Sequence, residues 1–176
     1  MRWLDWLRAK LDPTAVDDVC VRQGHFSAEI EENLPARPEE VDDVSAQAGL
    51  DFYSAIAAHQ RWKNRLKDVV LGRSQETLDP AVVGRCDACD LGIWLEAQAN
   101  DARIPAHLMD QLKQEHAQFH SLAADIIRLA DQGQSEEAMQ ALRTDAPYNR
   151  ASRRVTRLLS QIYFELSEFH KPGVRS

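Results

Sequence analysis

Residues 105–131 read PAHLMDQLKQEHAQFHSLAADIIRLAD. Leu108, Leu112, His116, Phe119, Ala123, Ile126 and Ala130 recur at spacings of four and three, the period of one face of an α-helix. Pro105 stands just ahead of that run. His116 and His120 are four apart, so on such a helix their rings lie on one face about one turn from each other. Two imidazoles in that relation can ligate a single metal ion. One stretch therefore predicts both a long packed helix and a candidate chemistry.

The same period continues on either side. Upstream, Phe52, Ile56, His59, Trp62, Leu66 and Val69 follow spacings of three and four and place His59 on the apolar face of a helix that Gly72 stops. A polar stretch with Pro80 and Gly84 leads into Cys86-Asp87-Ala88-Cys89-Asp90-Leu91-Gly92-Ile93-Trp94-Leu95, read as a cysteine in front of an apolar turn. Downstream, a short helix is predicted from Ser135 to Arg143. A last one runs from near Pro147 to about Phe169, with Val155, Leu159, Ile162, Leu166 and Phe169 on one side. That spacing suits packing at a shallow angle. No segment alternates with period two for long enough to be a strand. The expected fold is all-α, an antiparallel four-helix-type bundle with additional short helices.

Towards the N-terminus the pattern weakens. A helix is predicted over residues 2–11 with Trp3, Trp6, Leu7 and Leu11 on one side, ended by Pro13, and a weaker one over 14–33. Leu34-Pro35-Ala36-Arg37-Pro38-Glu39-Glu40 then reads as an acidic, proline-stiffened joint. The chain is accordingly divided into an N-terminal helical extension and linker, residues 1–47, and a helical bundle, residues 48–170.

Composition narrows the function. The formal net charge is −7, with 28 acidic and 21 basic side chains. Residues 1–50 carry 11 acidic and 5 basic groups, whereas residues 51–176 carry 17 and 16. A general nucleic-acid surface is disfavoured, because such binding neutralises phosphates with Lys and Arg. No run of about 18 apolar residues spans a membrane. The opening Met1-Arg2-Trp3-Leu4-Asp5-Trp6-Leu7-Arg8 interrupts its apolar stretch too early for a secretory signal. Three cysteines are an odd count for a disulfide framework, so a reducing cytoplasm is the expected location.

A single inward histidine is more often a hydrogen-bonded core residue than a ligand. A buried pair is different, because two unpartnered imidazoles are costly. His116 and His120, with inward His59 as a third donor and Cys89 as a fourth, compose a set of one thiolate and three neutral imidazoles that suits tetrahedral zinc (Zn2+). Iron sites in bundles draw on inward carboxylates, and no Glu-x-x-His pair is present. A metalloprotease needs a Glu directly after the first His, where Ala117 stands.

The run His59-Gln60-Arg61-Trp62-Lys63, then Cys89-Asp90-Leu91-Gly92-Ile93-Trp94-Leu95, then His116-Ala117-Gln118-Phe119-His120 resembles the chemoreceptor zinc-binding (CZB) family. The Tyr148–Leu166 stretch, with Ser152 before Val155, looks like that family's last helix. The likeness covers about residues 48–168. It implies a helical bundle holding zinc through three His and one Cys, at His59, Cys89, His116 and His120. It also implies a non-enzymatic sensory role: such domains regulate bacterial chemoreceptors and diguanylate cyclases, respond to zinc, and are linked to oxidant sensing through the cysteine. No receptor or cyclase module is found in the sequence, so a protein partner in chemotaxis or cyclic-di-GMP signalling, or a homodimer, is expected to carry the output. A zinc-stabilised structural scaffold without sensing is the competing expectation.

Other residues have plainer readings. Cys86 lies outside the motif. It would resolve an oxidised Cys89 as a disulfide, but an inert surface thiol is the simpler expectation. Cys20 reads as a small buried residue, and His25, His107 and His170 as solvent-facing. Arg150, Arg153, Arg154 and Arg157 read as a solvated face that is also suited to an acidic partner.

Overall fold

The structure, a computed structural model, describes residues 43–169. These form seven α-helices, and no strand occurs among the described residues. They are α1 (Asp43–Ala48), α2 (Phe52–Val70), α3 (Pro80–Val83), α4 (Asp90–Ala97), α5 (Ala106–Asp131), α6 (Ser135–Ala141) and α7 (Pro147–Phe169). The readings for residues 2–11, 14–33 and 34–40, and those for Cys20, His25 and His170, lie outside the described residues.

Local chemistry sets the ends of the elements. Asp51 caps α2 by accepting from the Ser54 amide at 2.9 Å and the Ser54 hydroxyl at 2.6 Å, satisfying amides that a helix start leaves orphaned. Gly72 follows α2 at φ 66° and Gly133 follows α5 at φ 75°. Only glycine enters that left-handed region without a steric penalty, so the chain turns out of each helix there. Asp79 caps α3 by accepting from the Ala81 amide at 2.9 Å, and Pro80 begins that helix.

Side-chain contacts fix the helix directions. Tyr148, at the start of α7, stacks on Phe119 with ring centroids 4.9 Å apart. Two turns of chain later, Arg154 donates to Glu115 at 2.8 Å. Moving forward along α7 thus moves backward along α5, and the two helices are antiparallel. Phe52, at the start of α2, meets Tyr163 near the end of α7 at 5.6 Å, so α7 is antiparallel to α2 as well. Helices α2 and α5 therefore run in the same direction. Residues 71–105 must return along the bundle between them, and this crossover carries α3 and α4.

The core has two parts. One gathers Phe52, Trp94, Leu95, Leu108, Leu112, Leu159, Ile162 and Leu166. The other gathers Leu66, Phe119, Ala123, Ile126 and Tyr148. On α2, His59 falls between Phe52 of the first part and Leu66 of the second. On α5, His116 falls between Leu112 and Phe119. The inward histidines therefore stand where the two apolar clusters meet. Helix α1 joins the first cluster through Ala48, whose carbonyl accepts from Trp94 Nε1 at 2.8 Å.

Three details differ from the sequence reading. The apolar turn after Cys89 is a helix, α4, and the polar stretch at Pro80 holds another, α3. Both are shorter than the repeat needed to reveal helical periodicity. Phe169 keeps the register of the α7 stripe but is 64 % exposed. The start of α2 lies beside Tyr163, and in the last turn of α7 Leu166 is still buried whereas Phe169 lies past the cover.

The contrast between Leu159 and Phe169 is measurable. Leu159→Ala removes a side chain with no exposed surface and is expected to cost about 2–5 kcal/mol. Phe169→Ser is expected to stay within about 0.5 kcal/mol. Urea unfolding of the two variants checks this, and equal losses would contradict the core described here.

Candidate metal centre

The four candidate donor residues come from two helices and one helix start. His59 comes from α2, His116 and His120 from successive turns of α5, and Cys89 from the residue preceding α4. Cys89 is the N-cap of α4, with extended backbone (φ −90°, ψ 161°), and its Sγ accepts from the Gly92 amide at 3.4 Å. Cysteine is not among the usual capping residues, which is why the sequence alone showed a turn here and not a helix start. The cap fixes the sulfur in space by tying it to the first turn of α4. That turn is anchored by buried Leu91, Trp94 and Leu95.

Gly92 has a second role. A Cβ built on it would stand 1.8 Å from the Cys86 carbonyl oxygen. Only glycine lets the chain before Cys89 press against α4 this closely, so the Cys-x-x-Gly spacing is a steric requirement of the site.

The donor atoms converge. Cys89 Sγ is 3.2 Å from His116 Nε2, and His116 Nε2 is 3.1 Å from His120 Nε2. The ligand atoms of Cys89, His116 and His120 all lie within 4.8 Å of one another. Edges of about 3.3–3.6 Å follow for tetrahedral zinc from its usual bond lengths to nitrogen and sulfur. The Cys89–His116 and His116–His120 separations fall a few tenths of an ångström short of them. His59 does not belong to that tight group. Its ring lies on Phe119, with centroids 3.9 Å apart, and its Nε2 is buried with no hydrogen-bond partner. An orphaned imidazole nitrogen beside three clustered donors fits a metal site and is costly otherwise.

Protonation states agree with this. Burial, helped by the neighbouring His120 and Lys63, lowers His59 to about 3. Burial, then the charges of His120 and His59, lowers His116 to about 3 as well. His120 is also lowered by burial, opposed by its hydrogen bond to the Val83 carbonyl and by Asp87. All three rings are thus neutral near pH 7, the form that offers a lone pair to a metal. Burial is also the main reason the Cys89 thiol is pushed up to about 11, against amide hydrogen bonds from Gly92 and Leu91 that lower it. Without a metal this sulfur holds its proton.

His120 Nδ1 lies 2.7 Å from the Val83 carbonyl. Because a carbonyl only accepts, Nδ1 carries the hydrogen and Nε2 is left as the lone-pair nitrogen facing Cys89 and His116. Short helix α3 thereby sets the tautomer of a candidate ligand, as outer-sphere partners of metal sites do. Sequence reading missed Val83, since a backbone carbonyl leaves no mark in residue type. It also expected the Arg150–Arg157 face to be solvated. All four arginines there are exposed, with Arg154 pairing to Glu115. His107 is exposed as expected.

The bundle and its Cys-His-His cluster define a metal-binding helical domain. Residues 59–127 match the family model of the chemoreceptor zinc-binding domain. The matched stretch begins at His59 and contains Cys89, His116 and His120. Zinc is the family's metal, and these three clustered donors are its candidate site here. No curated protein and no solved structure matches the chain. Among the described residues no helix is long and apolar enough to cross a membrane.

Buried neutral histidines make the metal-free protein acid-sensitive. The unfolded chain takes up protons on these rings below about pH 6.5, whereas folded His59 and His116 resist until about pH 3. Stability from this source is complete above 6.5 and falls as the pH drops through that window. Melting temperatures of chelator-treated protein between pH 7 and pH 4 should fall steeply, and less steeply for His59→Gln. Identical slopes would show that His59 is not buried neutral.

Proposed function

We propose that this chain is a zinc-binding sensory protein, with zinc held by His59, Cys89, His116 and His120. The convergence of Cys89, His116 and His120 carries the reading, and the unpartnered Nε2 of His59 supports it as the fourth donor. Four protein ligands leave zinc no open position for substrate, so the role is regulatory and not catalytic. In this reading residues 48–170 are the zinc-binding bundle and residues 1–47 an extension to it, with α1 packed into the bundle's core. The protein works in the cytoplasm and passes its state to a chemoreceptor or diguanylate-cyclase pathway, or through a homodimer.

The signal is zinc availability or an oxidant acting at Cys89. Metal-bound cysteine is a thiolate, the reactive form towards oxidants, and oxidation weakens it as a ligand. Because Cys89 also caps α4, its loss from the metal reaches Leu91, Trp94 and Leu95 directly. The capped segment is the bistable element. The alternative is a structural scaffold in which zinc only fastens the crossover to the bundle, favoured by the position of the centre between two apolar clusters.

Metal analysis of purified protein tests the ligand set. About one zinc per chain is expected, sharply reduced in Cys89→Ala, His116→Ala and His59→Ala. Undiminished content in any of the three would remove that residue from the centre. Competition with chelators of graded affinity separates sensor from scaffold: a sensor exchanges zinc within the range of cellular fluctuation, a scaffold holds it far more tightly.

Binding should also release a proton. With the rings already neutral and the Cys89 thiol at about 11, each zinc displaces about one proton at pH 7. Calorimetry in buffers of different ionisation enthalpy measures this count, and a count near zero would show that Cys89 does not bind as the thiolate.

A further inference from the structure

The zinc centre leaves one neighbouring thiol unused. Cys86 is half-buried, and it is not among the clustered donors. We propose that Cys86 is the resolving thiol for Cys89: after a hydroperoxide oxidises Cys89, the two residues close a disulfide that withdraws Cys89 from the metal and that thiol reductants reopen. This rests on the zinc reading above.

The geometry brings both residues against the first turn of α4. Cys89 Sγ is 3.8 Å from the Cys86 carbonyl oxygen. That carbonyl is pressed against Gly92, whose amide in turn donates to Cys89 Sγ at 3.4 Å. Gly92 thus anchors both cysteines, one through its Cα and one through its N–H. Only Asp87 and Ala88 intervene, and they form a bend between α3 and α4. Such a bend suits the short Cα separation, about 4.4–6.8 Å, that a disulfide needs. The Asp87 carboxylate is engaged by Arg85 at 2.8 and 3.2 Å. With zinc holding Cys89 as the thiolate, a partly exposed thiol three residues away is the arrangement of a resolving pair.

The chemistry balances in two steps. The Cys89 thiolate attacks the hydroperoxide, its sulfur–oxygen bond forms as the O–O bond breaks, and an alcohol (water, for hydrogen peroxide) leaves with the aid of a proton. The sulfenate takes up a second proton from solvent. The Cys86 sulfur then attacks Cys89 Sγ, the S–S bond forms, the S–O bond breaks, and hydroxide leaves with the Cys86 proton as water. Two thiol-level sulfurs lose two electrons in total, and the peroxide gains them.

The test treats full-length zinc-loaded protein and its Cys86→Ser variant with stoichiometric hydrogen peroxide. Released zinc is followed with a chromophoric chelator. Cleavage after Arg85 and Arg103 gives one peptide, 86–103, holding both cysteines, and its mass is read after alkylation. Wild-type protein should yield a peptide lighter by two hydrogens with neither thiol alkylated, release its zinc, and rebind it fully after reduction. Cys86→Ser should bind the same amount of zinc but gain oxygen on Cys89 and recover several-fold less zinc binding. Cys86 remaining alkylatable while Cys89 carries oxygen would overturn the proposal, as would equal recovery in both proteins. Repeating the mass measurement on metal-free protein separates the two readings. A disulfide there without Cys89-dependent zinc in the purified protein would defeat the zinc reading and leave the thiol pair standing.

Discussion

The structure depends on a polar cluster placed where an apolar contact would otherwise be. His59 and His116 occupy inward positions on α2 and α5 between two hydrophobic clusters; Cys89 and His120 cluster with His116, and His59 lies beside them against Phe119. Burial keeps the rings neutral and the thiol protonated, so no ion pair compensates them. Neutral donors packed this closely, one with an orphaned nitrogen, are unfavourable by themselves and favourable around a cation. The candidate centre lies where the two halves of the core meet.

The crossover between α2 and α5 follows from that constraint. Because these helices run in the same direction, the connecting chain has to return along the bundle, and on the way it supplies two parts of the site. Helix α3 presents the Val83 carbonyl that fixes the tautomer of His120. Helix α4 begins at Cys89, so one sulfur is both a helix cap and a candidate ligand. The close approach of Cys86 to Gly92 ties the preceding bend to the same helix turn. Chemistry at one sulfur is thereby connected to the packing of Trp94 and Leu95 without a long relay.

Much of this was legible because long amphipathic helices advertise themselves. The stripes of α2, α5 and α7 repeat over several turns, so their burial and the inward placement of His59 and His116 follow from period alone. The short helices were not legible. Four residues in α3 and eight in α4 contain too little repeat, and the cap of α4 is a residue type that seldom plays that part. Phe169 shows the opposite failure: its register is right, yet a periodic position is buried only if a neighbour extends far enough to cover it.

The sequence by itself determined the helical class and the inward faces and singled out four candidate donors, since these depend on residue type and spacing along one chain. Tertiary structure decided which donors converge. It brought Cys89, His116 and His120 within reach of one another and set His59 against Phe119 at their side. It gave His120 its carbonyl partner and Gly92 its obligatory contact with Cys86. Such features depend on the packing of elements distant in sequence and on backbone atoms common to every residue, so no pattern of side chains could have announced them.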